Sequence, residues 1–598
     1  MSIPNDVFRT PIARQIWEQK YQLKEFDGTP IDNTVQDTWL RIANSLASVE
    51  DDSAYWEEKF YKSLADFRFI PAGRIVAGAG SERDVTLFNC FVMGTVPDDM
   101  GGIFEMLREA ALTMQQGGGI GYDFSTLRPK GAEVKGVAAD ASGPLTFMDV
   151  WDSMCKTIMS AGSRRGAMMA TMRIDHPDVM EFVDAKRDPS RLRHFNMSVL
   201  VTDEFMEAVK LNQDFDLVFK GKVYKTVKAR QLWDKIMMAT YAYAEPGVIF
   251  IDRINAMNNL NYMETIAATN PCGEQPLPPY GACLLGSINL AAFLKDDWTG
   301  VDEDELQDTV RVAVRMMDNV VDVSKFPLKA QEVEAKAKRR IGLGVTGVAS
   351  VLALIGIEYG SKEAEKWTNH IMRLINETAY FASADLARIK GPAPAYKPYL
   401  LQSGFMRNQR QSVRKAVEMH GLRNCLLTSI APTGTISLYA GNVSSGIEPI
   451  FALSYVRKVL EKDGSKREEL VEDYAARKWR ERYGVGAELE KPYPESFVTA
   501  QTLSPEAHVK MQAVAQRHVD SSISKTVNLP EDISFEDFKE VYKLAYDLGC
   551  KGCTTYRPND VTGSVLSVEQ PVKEEELDDG ACVLRYDENT GQIIRSCE

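Results

Sequence analysis

Residues 269–290 read TNPCGEQPLPPYGACLLGSINL, and their proline and glycine content is too high for a helix. Asn270, Cys272 and Glu274 alternate along the chain, so an extended loop would place their side chains on one side. Cys283 follows eleven residues after Cys272. A loop that returns on itself could bring both thiols to one pocket. The stretch predicts a chemically active loop, and the plain alternative is a loop with an ordinary buried cysteine.

On both sides of this loop, short β-rich runs alternate with amphipathic helices. FNCFVMG (88–94) and GVIFI (247–251) are typical strands, whereas residues 103–116 and 305–324 have helical spacing of apolar residues. The alternation predicts an α/β fold with mainly parallel strands, whose functional loops lie at strand ends.

The chain divides into three predicted regions. Residues 1–85 carry helical patterning and form an N-terminal helical region. Residues 86–560 form the α/β domain. Residues 561–598 combine a flexible acidic linker with a tail that contains Cys582 and Cys597.

Composition excludes several classes of protein. The chain has 598 residues, 44% of them hydrophobic, and its 70 basic and 84 acidic residues give a net charge of −14. That charge argues against nucleic acid as a partner. No apolar run approaches the ~20 residues of a membrane span, and the N-terminus lacks a secretory signal. We therefore expect a cytoplasmic protein with no membrane partner.

Nine cysteines are present, an odd number with irregular spacing. A reducing compartment makes structural disulfides an unsafe assumption. Six histidines without an HExxH pattern predict no metal held by protein side chains. Gly342, Gly344 and Gly347 match GxGxxG, but the preceding KAKRRI is a poor strand, so we expect close packing and not a dinucleotide site.

The 269–290 segment resembles the finger loop of ribonucleotide reductase catalytic subunits, which carries Asn-x-Cys-x-Glu followed by a further cysteine. Other segments resemble that family in the same order. They are LFNCFVMGTVPDD (87–99), QGGGIGYDFSTLRPKGAEVKG (116–136), SAGSRRGAMMATMRIDHPDVMEFVDAK (160–186), TSIAPTGTISLYAGNVSSGIEPIF (428–451) and KGCTTYRPN (551–559). The match covers most of residues 60–560.

The resemblance implies a ten-stranded α/β barrel, built from two five-stranded half-barrels around a central finger loop. It also implies reduction of ribonucleotides, taken here as diphosphates, to 2′-deoxyribonucleotides by a thiyl radical, which supplies DNA precursors. Cys272 would carry the radical, Glu274 would act as general base and Asn270 would orient the sugar. Cys90 and Cys283 would supply the electrons and finish as a disulfide.

Further residues take roles only through the resemblance. The implied substrate-binding residues are Asn89, Gly118, Gly119, Pro432, Thr433, Gly434, Thr435 and Ser437. The implied residues for a dNTP or ATP effector that sets substrate specificity are Asp98, Arg128, Ser163, Arg164 and Arg165. Cys582 and Cys597 would relay electrons from a thioredoxin-like reductant, and the effector site's usual place suggests a homodimer.

The reductase classes differ in how the radical is made. Class I proteins carry a tyrosine pair near KGCTTYR, where this chain has Thr554 and Thr555, and the glycyl-radical class has a C-terminal glycine loop that is not visible here. The sequence is identified as a member of class II, which uses adenosylcobalamin. Two alternatives remain open: a class I-like subunit that needs a metallo-radical partner, and a non-catalytic nucleotide-binding paralogue.

Overall fold

The structure is a computed structural model that describes residues 7–134, 139–158, 166–188, 190–460, 466–485, 488–489, 491–558, 582–587 and 592–597. Its helices are α1 Pro11–Ile16, α2 Val35–Ala47, α3 Ser53–Leu64, α4 Gly73–Gly78, α5 Met100–Gln115, α6 Pro144–Thr157, α7 Val179–Asp184, α8 Asp203–Leu211, α9 Ala229–Tyr243, α10 Ile251–Met257, α11 Glu303–Val323, α12 Lys329–Lys338, α13 Val348–Leu354, α14 Lys362–Lys390, α15 Gly404–Arg407, α16 Gln411–His420, α17 Gly434–Tyr439, α18 Tyr474–Tyr483, α19 Pro505–Gln516 and α20 Phe535–Asp547.

The described strands are short, and none exceeds eight residues. They are β1 Phe69–Pro71, β2 Cys90–Val92, β3 Gly119–Asp123, β4 Glu133–Val134, β5 Ala139–Asp140, β6 Met168–Arg173, β7 Phe195–Val201, β8 Asp214–Phe219, β9 Lys222–Lys228, β10 Gly247–Phe250, β11 Ala268–Thr269, β12 Pro276–Leu277, β13 Ala282–Asn289, β14 Ile341–Thr346, β15 Ser454–Leu460, β16 Lys466–Glu472, β17 Gly484–Val485, β18 Glu488–Leu489, β19 Thr526–Asn528, β20 Gly552–Tyr556, β21 Cys582–Asp587 and β22 Gln592–Cys597.

The first half of a barrel is a run of five parallel strands in the order β2-β3-β6-β7-β10. Helices connect successive strands, as parallel pairing requires. The strands are almost wholly buried because helices cover one face and the finger loop occupies the other. Met168–Arg173, for example, has five buried residues and one half-buried residue.

The second half starts with β13 and β14, which pair in parallel. An irregular segment follows, joined to its neighbours by the isolated parallel bridges Leu343↔Thr428 and Ile430↔Ile523. The last two positions are β19 and β20, again parallel. Antiparallel pairs β2–β13 and β10–β20 join the halves, so the ten positions close into a barrel. The predicted ten-stranded α/β barrel is confirmed.

The N-terminal helices α1 to α4 pack against the second half-barrel, and their apolar side chains belong to the same continuous core. A buried ion pair joins the two parts, because Arg315 of α11 donates to both carboxylate oxygens of Glu50 at 2.7 and 2.6 Å. Three basic and polar groups, those of Arg315, Lys390 and Asn319, outweigh the effect of burial and lower the pKa of Glu50 to about 2.

Glycines 342 and 344 lie in β14, where another chain segment approaches closely. A Cβ on Gly344 would lie 2.2 Å from the carbonyl oxygen of Ser429, and one on Gly342 would lie 2.6 Å from Nε2 of Gln275. Gly347 begins α13 with a φ of +80°. Close packing therefore accounts for the GxGxxG pattern, as the sequence predicts.

Candidate active site

The finger loop is a narrow hairpin. Its arms are β11 and β12, which pair antiparallel with Thr269 opposite Pro276. At the turn, the Asn270 carbonyl accepts a hydrogen bond from the Gly273 N–H at 3.1 Å, and its side-chain oxygen accepts one from the Gln275 N–H at 2.9 Å. Gly273 has a φ of +79°, which favours glycine. Asn270 thus holds the turn on which Cys272 lies.

The loop brings the predicted thiols, acid and amide together. Cys90 and Cys283 are direct cross-strand partners on β2 and β13. Such partners have Cα atoms about 4.5–5.5 Å apart, within the range that a disulfide spans. The Cys90 sulfur accepts a hydrogen bond from Nδ2 of Asn270 at 3.2 Å and lies 3.9 Å from Oε1 of Glu274.

Burial sets the chemistry of this cluster. Cys90, Cys283 and Glu274 are 4%, 1% and 2% exposed, whereas Cys272 is exposed at the tip of the loop. Burial first, and then the nearby Glu274 charge, raise the pKa of Cys90 well above its usual value, and burial likewise raises the pKa of Cys283. Both residues are therefore thiols at neutral pH, able to give up protons together with electrons.

The second half-barrel anchors the base of the turn. The Glu274 carbonyl oxygen accepts hydrogen bonds from the Ser429 hydroxyl at 2.9 Å and the Ser522 N–H at 3.0 Å. On the other side, the Thr171 hydroxyl donates to the Ala267 carbonyl at 2.7 Å. These anchors use residues far apart in sequence, and sequence reasoning missed all of them.

Gly121 of β3 lies directly under the finger loop. A Cβ at this position would lie 1.8 Å from the Thr269 carbonyl oxygen, a distance that no real contact shows. The first half-barrel therefore needs glycine here so that the hairpin can lie at its observed depth.

Gly121→Ala is expected to displace the hairpin by about an ångström, and a misplacement of that size lowers turnover about 10²-fold. Hydrogen–deuterium exchange of peptides covering residues 268–277 should accelerate, and kcat should fall. Wild-type turnover together with unchanged exchange of these peptides would show that the loop does not depend on this contact.

The predicted phosphate-binding turn begins α17. Thr433 has a φ of +53°, and its hydroxyl lies 2.9 Å from that of Ser437 and 3.1 Å from that of Thr346. The hydroxyls of Thr433 and Ser437 therefore lie inside a buried hydroxyl cluster and do not face solvent. Gly434 is exposed with open space around it, and Thr435 is half-buried.

Two of the predicted effector residues are in contact. The Arg128 side chain and its own N–H both donate to Oδ1 of Asp98 at 3.0 Å, and Lys220 donates to Oδ2 at 2.9 Å. Burial acts to raise the pKa of Asp98, but the hydrogen bonds from Arg128 and Lys220 outweigh it and lower that pKa. Ser163, Arg164 and Arg165 lie outside the described residues.

The remaining predicted residues border the loop. The Asn89 carbonyl accepts a hydrogen bond from the Gly119 N–H at 3.0 Å, and a Cβ on Gly119 would lie 3.4 Å from the ring of Pro271. Gly118 is also packed tightly, against the ring of Phe91. This edge of β3 thus lies against the loop beside Cys272.

The other cysteines of the barrel are packing residues. Cys155, Cys425, Cys550 and Cys553 are all buried, and burial raises the pKa of Cys550 to about 12. Cys553 lies in β20. Within the described ranges, no cluster of His, Cys, Asp or Glu is arranged to hold a metal ion. None of the helices described there is long and apolar enough to cross a membrane.

Comparison with known sequences identifies the family. The sequence model of the ribonucleotide reductase barrel domain matches residues 88–556, and that of the ribonucleotide reductase all-alpha domain matches residues 7–84. The chain belongs to the ribonucleotide reductase family. The exposed Cys272 and the buried pair of Cys90 and Cys283 therefore lie in a reductase barrel.

Individual relatives of this reductase are of two kinds. It is 39% identical to a vitamin B12-dependent ribonucleoside-diphosphate reductase of Mycobacterium tuberculosis, over 94% of this chain and 79% of the relative. A protein of the same name from Thermoplasma acidophilum is 38% identical over 90% of this chain and 69% of its own. A ribonucleoside-diphosphate reductase subunit alpha of Chlamydia muridarum is 28% identical over 71% and 46%.

Proposed function

We propose that this reductase converts ribonucleoside diphosphates to 2′-deoxyribonucleotides with adenosylcobalamin as the radical source. The observation that carries the proposal is an exposed thiol, Cys272, on a clamped turn beside two buried thiols, Cys90 and Cys283, and the carboxyl group of Glu274. The names of the two relatives that are 39% and 38% identical support the substrate and the cofactor.

The four side chains divide the steps of the reaction between them. The Cys272 sulfur, after losing its hydrogen atom, takes the 3′ hydrogen of the ribose, and Glu274 accepts the 3′-hydroxyl proton. The 2′-hydroxyl leaves as water with a proton from one buried thiol, and the other buried thiol supplies the hydrogen that C2′ gains. Cys90 and Cys283 thereby lose two electrons and become a disulfide, Glu274 returns its proton to the 3′ oxygen, and Cys272 returns the 3′ hydrogen. The sum is one C–O bond replaced by C–H, one water and one disulfide.

A row of small and polar residues fits the cofactor's reactive group. Ser198 of β7 pairs with Gly247 of β10, and a Cβ on Gly247 would lie 3.0 Å from the Ser198 hydroxyl and 3.9 Å from that of Thr554. Ser198 and Thr554 are small polar residues and Thr554 is exposed, so no large side chain fills this row. When bound, adenosylcobalamin supplies a weak cobalt–carbon bond and hence a radical.

The threonines of β20 argue against the class I-like alternative. A subunit of that kind needs a tyrosine pair where β20 carries Thr554 and Thr555. Thr555 is buried with its hydroxyl 3.0 Å from that of Tyr542, and because this hydroxyl is aliphatic it cannot replace a redox-active phenol. The presence of two threonines in place of the tyrosine pair favours a diffusible cofactor over a metallo-radical partner.

We further propose that the turn at Pro432–Ser437 binds substrate phosphates. Exposed Gly434 and half-buried Thr435 can present N–H groups, while the buried hydroxyl cluster of Thr433 and Ser437 supports the turn. Asn89, Gly118 and Gly119 would line the sugar side of the same cleft.

We propose that the effector-binding residues lie next to a dimer contact. Asp98 and Arg128 would bind a dNTP or ATP, with Ser163, Arg164 and Arg165 completing the specificity site. On neighbouring α5, Met100, Phe104 and Leu112 are exposed apolar residues at roughly helical spacing. Such a stripe supports a homodimer contact through α5.

The tail would regenerate the thiols. Backbone pairing of β21 with β22 places Cys582 opposite Cys597, although fourteen residues separate them in sequence. This register supports their role as a relay pair for a thioredoxin-like reductant. We also propose a cytoplasmic location, because that compartment keeps thiols reduced and so suits a thiol pair that the reaction oxidises.

The proposed domains are residues 1–85, 86–560 and 561–598.

Purified protein with a ribonucleoside diphosphate, a dithiol and adenosylcobalamin in the dark is expected to form deoxynucleotide. Omission of cobalamin should reduce the product to background, because these side chains cannot themselves generate a radical. Prior exposure of the cofactor to light should have the same effect. Turnover without cobalamin would overturn the proposed class, and no turnover with every effector tested would favour a nucleotide-binding paralogue.

A further inference from the structure

One hydrogen bond reaches the backbone immediately before Cys272. Nδ2 of Asn196 donates to the Pro271 carbonyl oxygen at 2.7 Å. Asn196 lies at the start of β7, where it is the only exposed residue of that strand and its flanking residues Phe195 and Met197 are buried. The Asn196 side chain is therefore not part of the packed core, and the hydrogen bond joins it to the finger loop.

This bond holds the loop from the side opposite to the anchors of the second half-barrel. Pro271 is buried, and its carbonyl precedes the N–H of Cys272 in the same peptide unit. Two residues after Cys272, the Glu274 carbonyl is held by Ser429 and Ser522. The turn is thus fixed on both sides of the reactive sulfur, from opposite halves of the barrel.

The other hydrogen bonds described between the first half-barrel and the loop lie further along the chain from Cys272, the nearest being the one from Asn270 to Cys90. The Thr171 hydroxyl binds the Ala267 carbonyl, five residues before Cys272, and Gly121 permits close approach at Thr269 without donating a side-chain hydrogen bond there. Of the side-chain hydrogen bonds described above between this half-barrel and the loop, that of Asn196 lies nearest to Cys272 in sequence. Removing it would take away a restraint on the Pro271–Cys272 peptide.

We infer that Asn196 is a positioning residue for Cys272, which holds the sulfur at the distance that hydrogen-atom transfer requires. The inference rests on the proposed function of Cys272 and adds a residue to it. Hydrogen transfer between heavy atoms needs near-contact geometry, and a displacement of about an ångström costs about 10²-fold in rate. Asn196 accordingly acts on the transfer step and leaves substrate affinity largely unchanged.

Four variants separate these effects. Asn196→Ala removes the donor, and Asn196→Asp keeps the shape but replaces the N–H donor with a carboxylate that cannot donate to Pro271. Asn261→Ala removes an exposed asparagine outside the finger loop and serves as the matched control. Cys272→Ser reports on the proposed function itself.

The first measurement needs no cofactor. Hydrogen–deuterium exchange of peptides covering residues 268–277 is expected to accelerate in Asn196→Ala and Asn196→Asp but not in Asn261→Ala. The second measurement follows solvent deuterium entering the 5′ position of adenosylcobalamin, since a thiol hydrogen exchanges with solvent. That rate should fall about 10²-fold in both Asn196 variants, while substrate KM and cobalamin Kd change less than about threefold.

The outcomes distinguish the two claims. Loss of deuterium entry in Cys272→Ser with wild-type entry in both Asn196 variants would overturn the inference alone. Deuterium entry that persists in Cys272→Ser would overturn the proposed function. If Asn196→Ala raised exchange throughout the barrel and weakened substrate and cobalamin binding equally, Asn196 would be a general structural residue and the inference would be wrong.

Discussion

Cys272→Ser is expected to lower deoxynucleotide formation by at least about 10³-fold, as removal of an essential reacting group does. An O–H bond is too strong to exchange hydrogen atoms with an activated ribose, so the hydroxyl cannot replace the thiol. Cys272 is exposed at the tip of the finger loop, so the substitution should change the free energy of unfolding by less than about 0.5 kcal/mol. The measurement is kcat with adenosylcobalamin and a dithiol.

The control for this substitution is Cys550→Ala. Cys550 is buried far from the finger loop in sequence and precedes β20. Its loss removes a packing thiol, so we expect a lower melting temperature with turnover within a few-fold of wild type. Wild-type turnover in Cys272→Ser would be incompatible with the assigned radical site.

Glu274→Gln is expected to lower kcat by about 10²–10⁴-fold, the range that a positioned general base contributes. The amide has the same shape but cannot accept the 3′-hydroxyl proton. The loop should keep its position because Ser429 and Ser522 bind the carbonyl oxygen of residue 274 and not its side chain. Steady-state kinetics should show the loss in kcat with KM little changed.

A second readout distinguishes this variant from Cys272→Ser. Solvent deuterium should still enter the cofactor in Glu274→Gln, because proton abstraction follows the first hydrogen transfer. Glu332→Gln is the matched control, since Glu332 is a surface residue of α12 that pairs with Lys329 and Lys336. If Glu274→Gln retained wild-type kcat, another group would have to be the base.

The barrel could be predicted largely from alternation of β-rich runs and amphipathic helices, as in GVIFI at β10 and residues 305–324 at α11. Two features could not. The β-rich run NCLLTSI (424–430) pairs with its neighbours through isolated bridges, and its Ser429 hydroxyl binds both the finger loop and the Ser522 carbonyl. The hairpin of β8 and β9 was missed because its exposed strand carries charged residues on both faces.

The site shows a similar division. Asn270, Cys272 and Glu274 could be predicted from the sequence because they alternate within one short segment. Their anchors do not: Ser429 and Ser522 lie more than 150 residues from Glu274, and Gly121 and Asn196 lie in strands of the other half-barrel. Only closure of the barrel brings them to the loop, so no local pattern could identify them.

A single-turnover experiment tests the central claim most directly. Prereduced Cys582→Ser protein, which lacks the proposed tail pair, is mixed with substrate and adenosylcobalamin in the dark without dithiol. Because the reduction takes two electrons, we predict about one deoxynucleotide per chain and a disulfide between Cys90 and Cys283 in the mapped peptides. Deoxynucleotide formed while both of these cysteines remain free thiols would contradict the account.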